Sequence, residues 1–201
     1  MPDPEDILFS PAVKAEQTRL GSRARFEGRE WKVEITDDLR QFLGAIDTFF
    51  FATASADGRP YIQHRGGPSG FLKPIGTNVL AFADFAGNRQ YISLGHLREN
   101  DRAHIFILHF ATQQRVKLWG RARTVEGDLE LMERLIDPRY KARPERAIVF
   151  TIEAWDVNCR QHIVPRYSEA EIAPAVDQLT RRIKELEEEV ARLRPSSDER
   201  F

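Results

Sequence analysis

The sequence predicts a mainly β fold: a small closed or nearly closed antiparallel barrel with peripheral helices and a C-terminal helix carrying a heptad seam. Three observations predict it. Apolar and aromatic runs of strand length recur between residues 48 and 155, and the links between them are short. Asp57-Gly58 between two such runs is a strong hairpin signal. Helical periodicity within that stretch is confined to two short segments, which argues against a doubly wound sheet of alternating strands and helices.

Residues 1–36 read as an N-terminal arm. Pro2, Pro4 and Pro11 break its beginning, one helix is expected over 14–20, and a basic patch runs over 19–29. Thr36, Asp37 and Asp38 offer caps for a helix through Ile46, with Leu39, Phe42, Leu43 and Ile46 on one face. Strands are then expected over 48–55, 61–65, 78–83, 103–110, 114–124 and 147–155, with helices over 88–99 and about 127–136. The barrel spans 37–168. The remainder, 169–201, is a different physical object: from Pro174 on, Val176, Leu179, Ile183, Leu186, Val190 and Leu193 recur at spacings of three and four. Arg181 with Glu185, Lys184 with Glu188, and Glu188 with Arg192 stand one helical turn apart. So narrow a stripe suits a partner helix better than the chain's own barrel, so the tail predicts an intermolecular coiled coil and a homodimer.

Charge and composition exclude several classes of function. The 201 residues carry 30 Lys and Arg against 31 Asp and Glu, with no basic block, which speaks against nucleic acid as a partner. The N-terminus lacks a basic leader and the apolar runs are strand-sized, so no membrane association is expected and the protein reads as soluble and cytoplasmic. Cys159 is the only cysteine, which rules out an internal disulfide. Cys159 and His162 have a spacing that could seat two metal ligands or a nucleophilic pair, but nothing nearby supplies further ligands, so no metal site is expected.

Two stretches carry the candidate chemistry. The run 64–73 is a glycine-rich turn flanked by Arg65 and Lys73, and 83–90 leads through Asn88 into a predicted helix with Arg89 in its first turn. Backbone N–H groups of a glycine turn and of a helix N-terminus, together with fixed cations, form sites for an anion. A helix N-terminus already carries roughly +0.5 of an elementary charge, so an arginine there is misplaced for stability alone. An anionic ligand above it would turn that defect into a charge-assisted contact.

These residues resemble a known family, the FMN-binding split barrels related to pyridoxamine 5′-phosphate oxidase, and within it a bacterial branch of flavin-nucleotide-binding proteins. The resemblance covers about residues 40–168. It rests on 50–54 running to Gly58-Arg59-Pro60, the Arg65 to Lys73 turn, Gly87-Asn88-Arg89-Gln90-Tyr91, Arg115-Val116-Lys117-Leu118-Trp119-Gly120, and Glu153-Ala154-Trp155 continuing into 158–166.

The resemblance implies an FMN cofactor in a cleft between two barrels of a homodimer, and an oxidoreductase. Pro68, Ser69, Gly70, Phe71, Leu72 and Lys73 match the stretch beside the flavin ring and ribityl chain, with Lys73 able to favour the reduced anionic flavin. Arg89 matches the phosphate-binding arginine, with Asn88 beside it. Gln90 replaces the basic residue that usually follows, a loss Arg65 could offset. Ala83 and Asp84 match a backbone contact to FMN; Arg115 stands where the oxidases place a glutamine on the flavin; Trp155 matches an aromatic near the ring, and Arg166 a basic contact. Arg160 and His162, with Lys73, resemble the substrate side.

The departures concern the chemistry. The segment 126–146 is shorter than in the oxidases, and Tyr140-Lys141-Ala142-Arg143 does not reproduce the Tyr, Arg and Ser that grip the substrate phosphate, which argues against pyridoxine phosphate oxidation itself. Two alternatives follow. One is a non-catalytic flavin carrier or sensor. The other is a haem-binding split barrel with His64, His104, His109 or His162 as axial ligand. A deazaflavin would make the same phosphate contacts as FMN.

Overall fold

The structure is a computed structural model that describes residues 3–158 and 160–193. Cys159, and with it the Cys159–His162 pair weighed above, lies outside the described residues, as does the tail beyond 193.

Seven antiparallel strands form one sheet: β1 (Thr48–Ala54), β2 (Pro60–Gly66), β3 (Lys73–Pro74), β4 (Val79–Phe85), β5 (Arg102–His109), β6 (Gln114–Val125) and β7 (Pro144–Asn158), in the order β2-β1-β5-β6-β7-β4-β3. Alternation in β1 and β5 sends Phe49, Phe51, Ile105 and Ile107 inward, where they meet Leu118, Phe82 and Phe150. Phe49 stacks on Phe71 at 5.3 Å and meets Phe82 edge-on at 5.1 Å, so aromatic contacts from three segments fill the barrel interior.

The sheet rolls until its two ends approach, and a side-chain bridge spans the gap: Arg65 on β2 donates to Asp84 on β4. The barrel is thus split, closed there by an ion pair rather than by a ladder of backbone bonds. The β1–β2 hairpin pairs Thr48 with Gly66 through Ala54 with Pro60 around the Asp57-Gly58 turn, as its sequence signal predicts.

Of the helices, α3 (Asp37–Ala45) is capped by Thr36, whose side chain accepts from the Leu39 N–H, and it buries Leu39 and Leu43 against the barrel. The arm holds α1 (Pro4–Leu8), α2 (Pro11–Arg19) and a 3₁₀ turn (Arg23–Arg25). Phe9 meets Phe26 and Trp31 at 5.3 and 5.4 Å, and Arg29 pairs with Asp156 on β7. A second small core lies outside the barrel, where α5 (Leu129–Leu135) sets Leu131 and Leu135 on Ala81, Ala83, Ala147 and Val149. The alanines let α5 approach β4 and β7, and they explain why β4 is buried on both faces instead of alternating.

Helix α4 (Ile92–Glu99) starts later than the sequence predicts. Arg89 and Tyr91 both adopt left-handed backbone, with φ of 58° and 54°, so residues 88–91 form a loop. Asn88 does not cap the helix. Its side chain accepts from the Gln90 N–H, the local two-residue turn to which Asn is prone. The residue at the cap position is Tyr91, which offers no side-chain acceptor.

Helix α6 (Glu169–Leu193) begins five residues before Pro174, because Ser168 and Glu171 bond each other's backbone N–H as a capping box. Every described side chain of α6 is exposed.

Candidate functional site

The site is built where the split in the barrel meets the 88–91 loop. A shallow cleft is lined by Tyr61, Gln63 and Arg65 of β2, Asp84 and Phe85 ending β4, residues 87–91, the first turn of α4, and Glu145 and Arg146 of β7. The β4–β7 register pairs Asp84 with Arg146, and the closing gap brings Arg65 to the same carboxylate. Asp84 is only 5% exposed and accepts from Arg65 on one oxygen and from Arg146 on the other, at 3.1 Å. Burial opposes the Arg146 charge, but bonding to Asp84 and the fields of Asp84, Glu145 and Glu126 outweigh it, so its pKa lies above the ordinary arginine value. A carboxylate held between two guanidiniums is a rigid support for whatever binds above it.

Three features of the cleft offer unspent capacity for an anion. The Nε of Arg65 is buried with no hydrogen-bond partner. The first turn of α4 has no side-chain cap, and its residues Ile92, Ser93 and Leu94 line the cleft. Arg89 is exposed on its left-handed backbone and, among the described residues, has neither ion-pair nor hydrogen-bond partner. Ser93 is buried and donates to Gln63 at 3.4 Å, and the Arg146 guanidinium lies 5.5 Å from the Tyr91 ring, so the rim is fixed from both sides.

Of the residues singled out from sequence, Arg65, Asp84, Asn88, Arg89 and Gln90 line this cleft. Ala83 turns its side chain under α5, which leaves only its backbone beside the cleft. Three amides of the glycine-rich turn are engaged within the chain: Gly67 donates to Asp47, Gly70 to Ile46 and Phe71 to Pro68. These bonds tie the turn, with Pro68 and Ser69 at its tip, beneath the α3–β1 junction. Gly67 is required there, since a Cβ would stand 2.6 Å from the Phe71 ring. Phe71 and Leu72 are core residues, and Lys73 reaches away to the Arg134 carbonyl at the end of α5.

The remaining candidates lie elsewhere on the chain. Trp155 is buried, donates from its indole to the Glu34 carbonyl at 2.9 Å and has Lys32 at 5.0 Å from its ring, so it staples the arm to β7. Arg115 stands opposite Asn158, twelve residues along β7 from Arg146, on the order of 40 Å of strand path. Arg166 lies 4.9 Å from the Phe110 ring, while Arg160 and His162 are exposed near it, His162 at φ 64°. One chain therefore presents two separate groups. Sequence reasoning missed Arg146, Gln63, Tyr91 and Ser93, because their membership follows from strand register and from where α4 starts.

Four of the five histidines have their own partners, and His162 is exposed. His64 bonds Thr48 at 2.5 Å, His96 bonds Thr53 and His109 bonds Thr112. His104 lies 4.9 Å from Trp119, and burial, with Lys117 nearby, pushes its pKa down to about 4. No group of three or more potential metal ligands occurs among the described residues, and no helix is long and apolar enough to cross a membrane.

Comparison with known proteins agrees with the barrel. HupZ of Group A Streptococcus superposes with a TM-score of 0.50 at 14% identity, over 66% of this chain and 99% of that one. An FMN-binding protein from Syntrophomonas wolfei gives 0.47 at 16%, over 74% and 95%, and the heme storage protein HutZ from Vibrio cholerae 0.42 at 15%, over 62% and 94%. At that identity the likeness to HupZ speaks to fold alone. No curated protein matches. The family model for pyridoxamine 5′-phosphate oxidase matches residues 35–159, from the start of the α3 cap to the end of β7, and by that match the chain belongs to the pyridoxamine 5′-phosphate oxidase family.

Proposed function

We propose that the protein is an FMN-binding, homodimeric flavoprotein of the oxidoreductase class, with the FMN phosphate held in the cleft below Arg89. The observation that carries this reading is the convergence of Arg89, the buried unpartnered Nε of Arg65 and the uncapped first turn of α4. These residues fit a phosphate: two guanidinium groups and the uncapped first turn of α4 supply donors, while the carboxylates that line the cleft, Asp84 and Glu145, are both paired with arginine. When bound, FMN supplies hydride or electron transfer. The chain's own part is to hold and orient: Asp84 fixes Arg65 and Arg146, Ser93 fixes Gln63, and the 88–91 loop presents Arg89.

The second group of candidates, Arg115, Arg160, His162 and Arg166, cannot reach this cleft within one chain and in this reading serves the cleft of the partner subunit. A flavin carrier or sensor is the second reading. It draws support from the connector 136–143, where Arg139 is paired with Asp137 and the Tyr140 ring packs 5.2 Å from Phe85, so neither is left to grip a substrate phosphate. The haem alternative gains less, since His64 and His109 are engaged with threonines and His104 sits against Trp119.

Mass spectrometry of the small molecule released by heat from freshly purified protein tests the cofactor. The mass of FMN is expected, and haem or a deazaflavin would replace this reading. NADH- or NADPH-dependent bleaching of the bound chromophore under anaerobic conditions separates enzyme from carrier.

A further inference from the structure

We propose that α6 forms a parallel, in-register, two-stranded coiled coil with α6 of a second copy of this chain, placing the molecular two-fold along the helix pair. The proposal rests on the homodimer part of the reading above and adds direction, register and the position of the axis.

The helix stands off its own barrel. Ile172, Val176, Leu179, Ile183, Leu186, Val190 and Leu193 are all 42–75% exposed, so the apolar seam has no partner among the described residues. Its composition specifies what covers it. In heptad terms Val176, Ile183 and Val190 fall at a, all β-branched, and Leu179, Leu186 and Leu193 fall at d, with Ile172 heading the d row. Within a parallel pair, β-branched residues at a with leucine at d favour two strands over three or four. Pro174 falls at f, on the face away from the seam, where its missing N–H does not disturb packing.

Charge agrees with this register. Arg182 at g and Glu187 at e stand five residues apart, the spacing that brings g of one helix to e of the next heptad across a parallel pair. Within one helix Arg182 instead pairs with Glu185 at 3.0 Å, with both side chains more than 60% exposed, a contact that is easily exchanged.

The direction has a consequence for the barrels. Ile163 is buried and its carbonyl accepts from Gln113 at 2.6 Å, and Arg166 lies against Phe110, so the chain is fastened to the β5–β6 turn until two residues before α6 starts. The three steps from Arg166 to Glu169 span at most about 11 Å, and helices of a coiled coil lie 8–10 Å apart. A parallel pair therefore draws the β5–β6 turns of both barrels toward the two-fold.

Single cysteines in a Cys159→Ser full-length chain test this: Val176→Cys near the start of the seam, Val190→Cys near its end, and Arg181→Cys at f as control. Mild oxidation should link Val176→Cys chains to one another and Val190→Cys chains to one another, while the control stays unlinked. Linking only when the Val176→Cys and Val190→Cys chains are mixed would show an antiparallel pair and overturn the proposal, as would no linking at either position. Flavin fluorescence on the same samples keeps the two readings apart. Cross-linked protein that binds no FMN upholds the coil against the flavin assignment, and FMN binding without cross-linking does the reverse.

Discussion

Arg89 sits on left-handed backbone, a conformation that costs a non-glycine residue about 1–2 kcal/mol, and Tyr91 repeats that cost two residues later. Strain of this kind persists where surrounding structure holds it, and here it falls on an unneutralised arginine that lines the cleft. Arg89→Ala should weaken FMN by about 1.5–3 kcal/mol, the range of a charge-assisted contact, measured by titration of the stripped protein; an unchanged affinity removes Arg89 from the site. His104 supports a prediction about pH. Its folded pKa of about 4 lies below the ordinary histidine value of 6.5, so its neutral form contributes stability that is fully present above 6.5 and lost as pH falls toward 4. The loss between pH 7.5 and 5 should be about 2 kcal/mol, read from urea midpoints, and His104→Leu should abolish that part of the slope. At this scale the sequence showed Arg65, Asp84, Asn88, Arg89 and Gln90, which fall within 26 positions and follow a family spacing. Arg146 lies far away in sequence and is placed only by its pairing across from Asp84.

The elements differ in how plainly they can be read. The β1–β2 hairpin and the inward faces of β1 and β5 follow from an Asp-Gly turn and period-two alternation, signals internal to each segment. The start of α4 does not, because Asn88 can cap a helix or close a turn with equal local chemistry, and the left-handed residues after it decide. Pro4 reads as a breaker in isolation, yet with Asp3 accepting from Glu5 it opens α1, since proline suits a helix's first position. The bulge between Trp119 and Gly120 is likewise invisible in sequence, and it carries a sharp prediction. A Cβ on Gly120 would stand 2.0 Å from the Thr151 carbonyl oxygen, a backbone atom that cannot swing away. Gly120→Ala should therefore destabilise the fold by about 3 kcal/mol or more, seen as a large drop in melting temperature, whereas Gly87→Ala, with open space at its Cβ, should change it little.

For the whole molecule, the proposed flavin between two subunits makes cofactor affinity and assembly one linked equilibrium. A ligand that binds only the dimer stabilises it by about 2.7 kcal/mol at a hundred times its dissociation constant. The proposed coiled coil would add a second, flavin-independent source of association, because the apolar residues of the α6 seam are exposed on the single chain and would lose water against a partner helix. Removing residues 174–201 should thus weaken the dimer and leave the barrel folded, since no barrel core residue comes from α6. Sedimentation of the truncated chain as an undiminished dimer would set α6 aside as an assembly element. Stripping the flavin from the full chain should lower the melting temperature and raise the dimer dissociation constant together. Added FMN should restore both, and riboflavin far less, because riboflavin lacks the phosphate assigned to Arg89, Arg65 and the first turn of α4. Equal rescue by the two would place the binding energy in the ring system and remove the phosphate from this cleft.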